Sequence, residues 1–227
     1  MSKEHPKIAA VYSVPRLCFT DNMMCAISVF PALGISIRKD SGAYWEQSLS
    51  RCLELELAEG ADWIITVDYD SIFNADDVKY LLSLAIDNDL DAVFPVQAKR
   101  DSDEQLCTIR NDVDPTEHLT GALSGHFGLT VIKADSLRKM KKPWLWSIPN
   151  QVTGTWDKGE KIDADIAFWL RANEEGWKVR LAHRCRIGHM EQVISYYGKD
   201  GKTLHYSMDK WQREGHPAEV MPCPLEA

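Results

Sequence analysis

The sequence predicts an α/β fold, one domain built on a mostly parallel central sheet flanked by helices. Three observations carry this. The chain opens on a short apolar run closed by a proline, a second apolar run leads directly into acidic residues, and an amphipathic helical pattern lies between them. Its 227 residues suit one large domain with a substantial core. Hydrophobic residues make up 44% and charged residues 26%, an ordinary globular balance that excludes a disordered or fibrous chain.

Lys7 to Ser13 (KIAAVYS) reads as a buried first strand, ended by the loop Val14-Pro15-Arg16. Tyr44 to Ala58 spaces Leu49, Leu53 and Leu57 four apart with Cys52 beside them, the stripe of a helix that Gly60 stops. Trp63 to Val67 (WIITV) is apolar and β-prone throughout, as expected of a strand covered on both faces, and Asp68-Tyr69-Asp70 follows it directly. Asn74 is placed to cap a helix striped by Val78, Leu81, Leu82 and Ala85. Ala92 to Val96 (AVFPV) supplies another strand, irregular at Pro95. Strand, helix, strand, helix, strand over this stretch is the alternation of a doubly wound sheet.

Gln97 to Thr120 is polar and Asp-rich without periodicity, and reads as a loop. Phe127 to Lys133 is a strand, Ala134 to Lys142 a short basic helix ended by Pro143, and Trp144 to Gly159 a loop bearing tryptophan and glycine. Asp163 to Glu175 is a helix stopped by Gly176, and Lys178 to Ala182 a last short strand. Residues 1–190 form the body on this reading, and 191–227, with little periodicity, an arm or lid.

The formal net charge of −8 disfavours tight non-specific binding of nucleic acid. An acidic protein that handles a phosphorylated small molecule needs a local cation, which carboxylates can hold as a divalent ion. The six cysteines (Cys18, Cys25, Cys52, Cys107, Cys185, Cys223) show neither CxxC nor zinc-like spacing and read as free thiols. No stretch approaches the ~20 apolar residues of a spanning helix and the start is polar, so the expected location is the cytoplasm.

Four segments carry candidate chemistry. Asp68 and Asp70 stand at the carboxyl end of the apolar strand, where open α/β sheets bind ligands, and period-two alternation would send both to one side; the same residues with Ser71 and Asn74 also suit a turn cap. Gly121 to Gly128 (GALSGHFG), with Gly125 and His126, suits either close backbone approach to a ligand or a tight turn. Asp163 and Asp165 begin a helix, where the dipole favours them and a general base is also well placed. His183, Arg184, Arg186 and His189 form a segment that suits metal and phosphate or a plain basic loop.

Taken in order, these segments resemble those of GT-A glycosyltransferases, specifically small family-two-like enzymes of bacteria and phages. The matching features are Val14-Pro15-Arg16 after the first strand, WIITVDYDSIF with its Asp-x-Asp, SGHFGLTVIKADSLRKMKKPWLW, IDADIAFWLRANEEGWKV, and Gly188-His189. They span residues ~7–190 in order.

The resemblance implies a metal-dependent transferase that moves a sugar from a nucleoside-diphosphate sugar. Asp68, Asp70 and His189 would lie at Mn²⁺ or Mg²⁺; Val14, Pro15, Arg16, Asp68, Tyr69, Asp70 and Arg186 would bind the donor. Asp163 would be the base with Asp165 in reserve, and Gly125, His126, Trp144 and Trp156 would face the acceptor. The nucleotide-sugar half would be about 1–100 and the acceptor half about 101–190. Ile162 departs from the pattern, since many relatives carry Glu there. A glycan or small-molecule acceptor is favoured, with hydroxymethylated DNA as the minority option. The alternatives are a sugar-phosphate nucleotidyltransferase, whose usual Gly-rich opening is missing here, and an inactive nucleotide-sugar-binding module.

Overall fold

The computed structural model describes residues 6–100, 102–157, 161–215 and 217–220. In chain order the elements are β1 (Ile8–Val14), α1 (Thr20–Ala32), β2 (Ser36–Ser41), α2 (Trp45–Ala58), β3 (Trp63–Asp68) and β4 (Ser71–Ile72). There follow α3 (Ala75–Asp87), β5 (Ala92–Gln97), β6 (Thr108–Ile109), β7 (Leu119–Ser124), β8 (Leu129–Lys133) and α4 (Ala134–Lys139). The last are α5 (Ala164–Glu174), β9 (Val179–His189), β10 (Val193–Tyr197), β11 (Thr203–Ser207) and α6 (Met208–Glu214).

The central sheet has the order β2-β1-β3-β8-β5-β9-β7-β6, with β4 added against β9. Strands β2, β1, β3, β5 and β9 run one way, while β8 and β7 run against them. The fold class is therefore the expected mixed α/β domain with a mostly parallel sheet. One detail of the alternation differs: β3 and β5 are not neighbours, because β8, from much later in the chain, lies antiparallel between them.

Both faces of the sheet are covered, which is why its strands are apolar at successive positions. Along β1, Ala9 and Val11 pack with Leu49, Leu53, Phe168 and Trp169 of α2 and α5. The intervening Ala10, Tyr12 and Val14 pack with Phe30, Val78 and Leu81 of α1 and α3 on the other side. The irregularity expected at Pro95 is present as a register shift in the β5:β9 pairing between Pro95 and Val96.

Several elements escaped the periodicity argument. Helix α1 shows an outer face of exposed Met23, Met24 and Ile27, so apolar residues surround it and no stripe stands out. Strand β2 is a polar edge strand paired only with β1. The last strand is not five residues but eleven, because arginines and histidines interleave its buried Leu181, Cys185 and Ile187 and disguise the pattern. Strands β6 and β7 interrupt the region expected to be loop, and 193–214 forms a hairpin and a short helix. Cys18, Cys25, Cys52, Cys107 and Cys185 are free thiols; Cys223 lies outside the described residues. Among the described residues no helix is long and apolar enough to cross a membrane.

Candidate functional site

A cleft of about 330 Å³ opens at the carboxyl ends of the parallel strands, lined among others by Asp68, Asp70, Arg100, His126, Asp163, Asp165 and His189. Its geometry starts from a turn. Strand β3 ends at Asp68, and Tyr69-Asp70 form a turn before β4, so alternation within one strand does not set the two carboxylates. Asp68 turns toward β1 and accepts a hydrogen bond from Ser13 Oγ at 3.2 Å. Asp70 is 3% exposed, meets the Arg100 guanidinium through Oδ2, and lies 3.4 Å from His189 Nε2 through the same oxygen.

Long-range pairing brings His189 there. Strand β4 pairs antiparallel with the end of β9, Ser71 opposite His189, and Met190 N–H donates to the Asp70 carbonyl at 2.7 Å. Two buried amides hold the turn. Asn22 of α1 donates to the carbonyls of Asp68 (2.9 Å) and Ser71 (2.6 Å) and accepts from the Tyr12 hydroxyl. Gln97, at the end of β5, donates to Ser71 Oγ at 3.0 Å and to the Gly188 carbonyl at 3.3 Å, linking the aspartate turn to the histidine strand.

The electrostatics follow from burial. Burial pushes the Asp68 carboxyl up to about 6, opposed by the Ser13 hydrogen bond and reinforced by the nearby Asp165 charge. Asp165 is raised too, mainly by burial and then by Asp163. Burial lowers His189, and its Nδ1 lies 2.8 Å from the Ala98 carbonyl, which can only accept. Nδ1 therefore carries the proton in the neutral ring, which leaves Nε2 unprotonated 3.4 Å from Asp70 Oδ2.

Among the described residues no group of three or more His, Cys, Asp or Glu side chains is gathered to hold a metal ion. Asp70 and His189 nonetheless present one carboxylate oxygen and one imidazole lone pair to a common point. That donor set fits a divalent ion whose other positions go to phosphate oxygens and water. Asp68 lines the same cleft but is committed to Ser13.

The remaining expected residues divide. Asp163 and Asp165 both line the cleft, but Asp163 makes no side-chain cap bond to α5 and is ion-paired to Lys161 at 2.7 Å. His126 lines it as well, with both ring nitrogens engaged: Nε2 at the Pro95 carbonyl (2.9 Å) and Nδ1 accepting from Gly128 N–H (3.1 Å). The close approach at the glycines is internal rather than toward a ligand. A Cβ on Gly125 would run into the Phe94 ring, and one on Gly128 would stand 2.6 Å from Ser71 Oγ and Gln97 Oε1.

Trp144 does not offer a face to an acceptor: it is 2% exposed in the core, and its indole N–H donates to the Met140 carbonyl. Trp156 is exposed and Arg186 sits on the solvent side of β9, and neither lines the cleft. Val14 is buried at the end of β1 and Pro15 and Arg16 lie outside the cleft, whereas the next three residues, Leu17, Cys18 and Phe19, wall an adjoining pocket with Tyr69 and Arg100. Sequence reasoning missed Asn22, Gln97 and Arg100. Only Gln97 had a signal, a polar residue directly after an apolar strand.

No family model and no curated protein matches the chain in sequence. Solved structures match it in fold. The crystal structure of A197 from STIV superposes with a TM-score of 0.58 at 14% identity over 96% of this chain and 99% of that one. The mannosyltransferase PcManGT from Pyrobaculum calidifontis, in complex with GDP-Man and Mn²⁺, superposes with a TM-score of 0.50 at 10% identity over 84% of this chain and 58% of that one. The fold is GT-A-like. In a GT-A-like sheet the cleft just described occupies the ligand edge, beyond the carboxyl ends of the parallel strands.

Proposed function

We propose that the chain transfers a sugar from a nucleoside-diphosphate sugar to an acceptor hydroxyl, using Mn²⁺ or Mg²⁺. The observation that carries this is the meeting of Asp70 Oδ2 with His189 Nε2, 3.4 Å apart at the ligand edge of a GT-A-like sheet. Asp70 and His189 would hold the ion. When bound, it supplies the positive charge that offsets the diphosphate as the sugar departs.

Asp68, fixed by Ser13, accepts hydrogen bonds from donor hydroxyls. Tyr69, whose ring stacks on Phe19 at 6.4 Å, borders the donor. For the base, the geometry favours Asp165 over Asp163. Asp163 is tied to Lys161, whereas Asp165 is half-buried, with a carboxyl that burial raises above the ordinary carboxylate value and so makes the stronger base. Asp165 takes the acceptor proton as the new glycosidic bond forms and the bond to the diphosphate breaks. The charge of −8 favours a neutral glycan or small molecule as acceptor over DNA.

Calorimetric titration with UDP and GDP tests the donor half. Binding is expected with Mn²⁺, lost in EDTA, and at least ~10-fold weaker in Asp70→Ala. Binding indifferent to both changes would sink the reading. Hydrolysis of the nucleotide sugar that binds then tests the base: Asp165→Asn should cost ~10²-fold in kcat and Asp163→Asn less.

A further inference from the structure

Asp70 is almost completely buried, and a buried carboxylate requires a counter-cation. In this structure the cation is Arg100. Its guanidinium sits on Asp70 Oδ2, the same oxygen that faces His189, and also reaches the Tyr69 hydroxyl at 3.4 Å. Arg100 lies three residues past β5, on a stretch tied down by the Ala98–Gln105 bridge and the Lys99-to-Glu104 backbone bond. Its side chain is 36% exposed and lines both the cleft and the adjoining pocket walled by Leu17, Phe19 and Tyr69.

A guanidinium and a divalent ion compete for one carboxylate oxygen, because both carry positive charge and both draw on its lone pairs. The planar fork of an arginine also matches phosphate oxygens in pairs. We propose that Arg100 is an internal substitute for the divalent ion: it neutralises Asp70 until the ion arrives, and then moves to the diphosphate of the donor. The second half rests on the function proposed above; the first does not. No anion is left without a cation in the exchange, since the ion replaces the guanidinium on Asp70 while the diphosphate takes up the guanidinium. Metal alone must displace Arg100 without compensation, whereas metal with donor gives Arg100 a new partner.

The signature is a pair of opposite changes in Arg100→Gln. Titration of Mn²⁺ alone, followed by the EPR signal of the free ion, should show binding ~3–10-fold tighter than in the wild type. Titration of UDP and GDP at saturating Mn²⁺ should show binding ~10-fold or more weaker. Arg100→Lys keeps a charge on Asp70 without the fork, so it should bind Mn²⁺ like the wild type and the nucleotides weakly. Mn²⁺ binding that is unchanged or weaker in Arg100→Gln overturns the proposal, as does nucleotide binding that survives in both variants. If Mn²⁺ binding tightens but neither nucleotide binds any of the proteins, the donor reading has failed while the competition at Asp70 stands. Should Arg100→Gln lose its cooperative melt, Arg100→Lys with the wild type still decides: nucleotide affinity equal in the two overturns the diphosphate role.

Discussion

His126 lies within the cleft yet is neutral by construction. Its ring donates to the Pro95 carbonyl through Nε2 and accepts from Gly128 N–H through Nδ1, and both bonds are possible only in the neutral ring. Burial lowers its pKa from 6.5 to about 4. Between those values the unfolded chain binds a proton that the folded chain refuses, so stability falls as the pH drops from about 6.5 to about 4. The loss attributable to this residue is on the order of 3 kcal/mol. In urea melts, His126→Asn should be less stable at pH 7 but should lose less on going to pH 4.5; parallel losses in the two proteins would contradict the assignment. The sequence marked this histidine, but only its two partners reveal a strut of the turn rather than a ligand contact.

At the scale of elements, the aspartate turn is held from its far end by the start of α3. Asn74 accepts from the N–H groups of Asp76 and Asp77, and Asp77 returns a bond to Asn74 N–H, a complete capping box. Asn74→Ala should cost ~1 kcal/mol, read as a fall of a few degrees in Tm. No change in Tm would show that packing alone fixes this helix. The cap and stripe of α3 were readable because both are local. Helix α1 and strand β2 were not, since one carries exposed methionines and isoleucine on its outer face and the other is a polar edge. Asn22 stayed hidden with them, because its task is to hold carbonyls at Asp68 and Ser71 that are distant in sequence.

Over the whole molecule, the sheet and the C-terminal hairpin differ in how they are supported. Strands β1, β3, β8 and β5 are packed on both faces, while among the described residues β10 and β11 pair only with each other and are mostly exposed or half-buried. A two-stranded ribbon of this kind opens easily. Hydrogen exchange under native conditions should therefore leave the four central strands protected long after 193–207 has exchanged. Comparable protection in both would mean that the hairpin is docked far more firmly than its burial indicates.

By itself the sequence determined what short-range chemistry can determine: apolar runs for a sheet covered on both faces, the Asn74 cap, the break at Pro95, and acidic residues where the strand β3 stops. It also named both ends of the proposed ion site, Asp70 and His189. Only the tertiary structure decided that they meet, through the β4:β9 pairing and the amides of Asn22 and Gln97, and that Arg100 lies on the same oxygen. The reason is physical. Periodicity and capping act over a few residues, whereas strand registry and buried polar contacts join residues through the packing of the completed sheet.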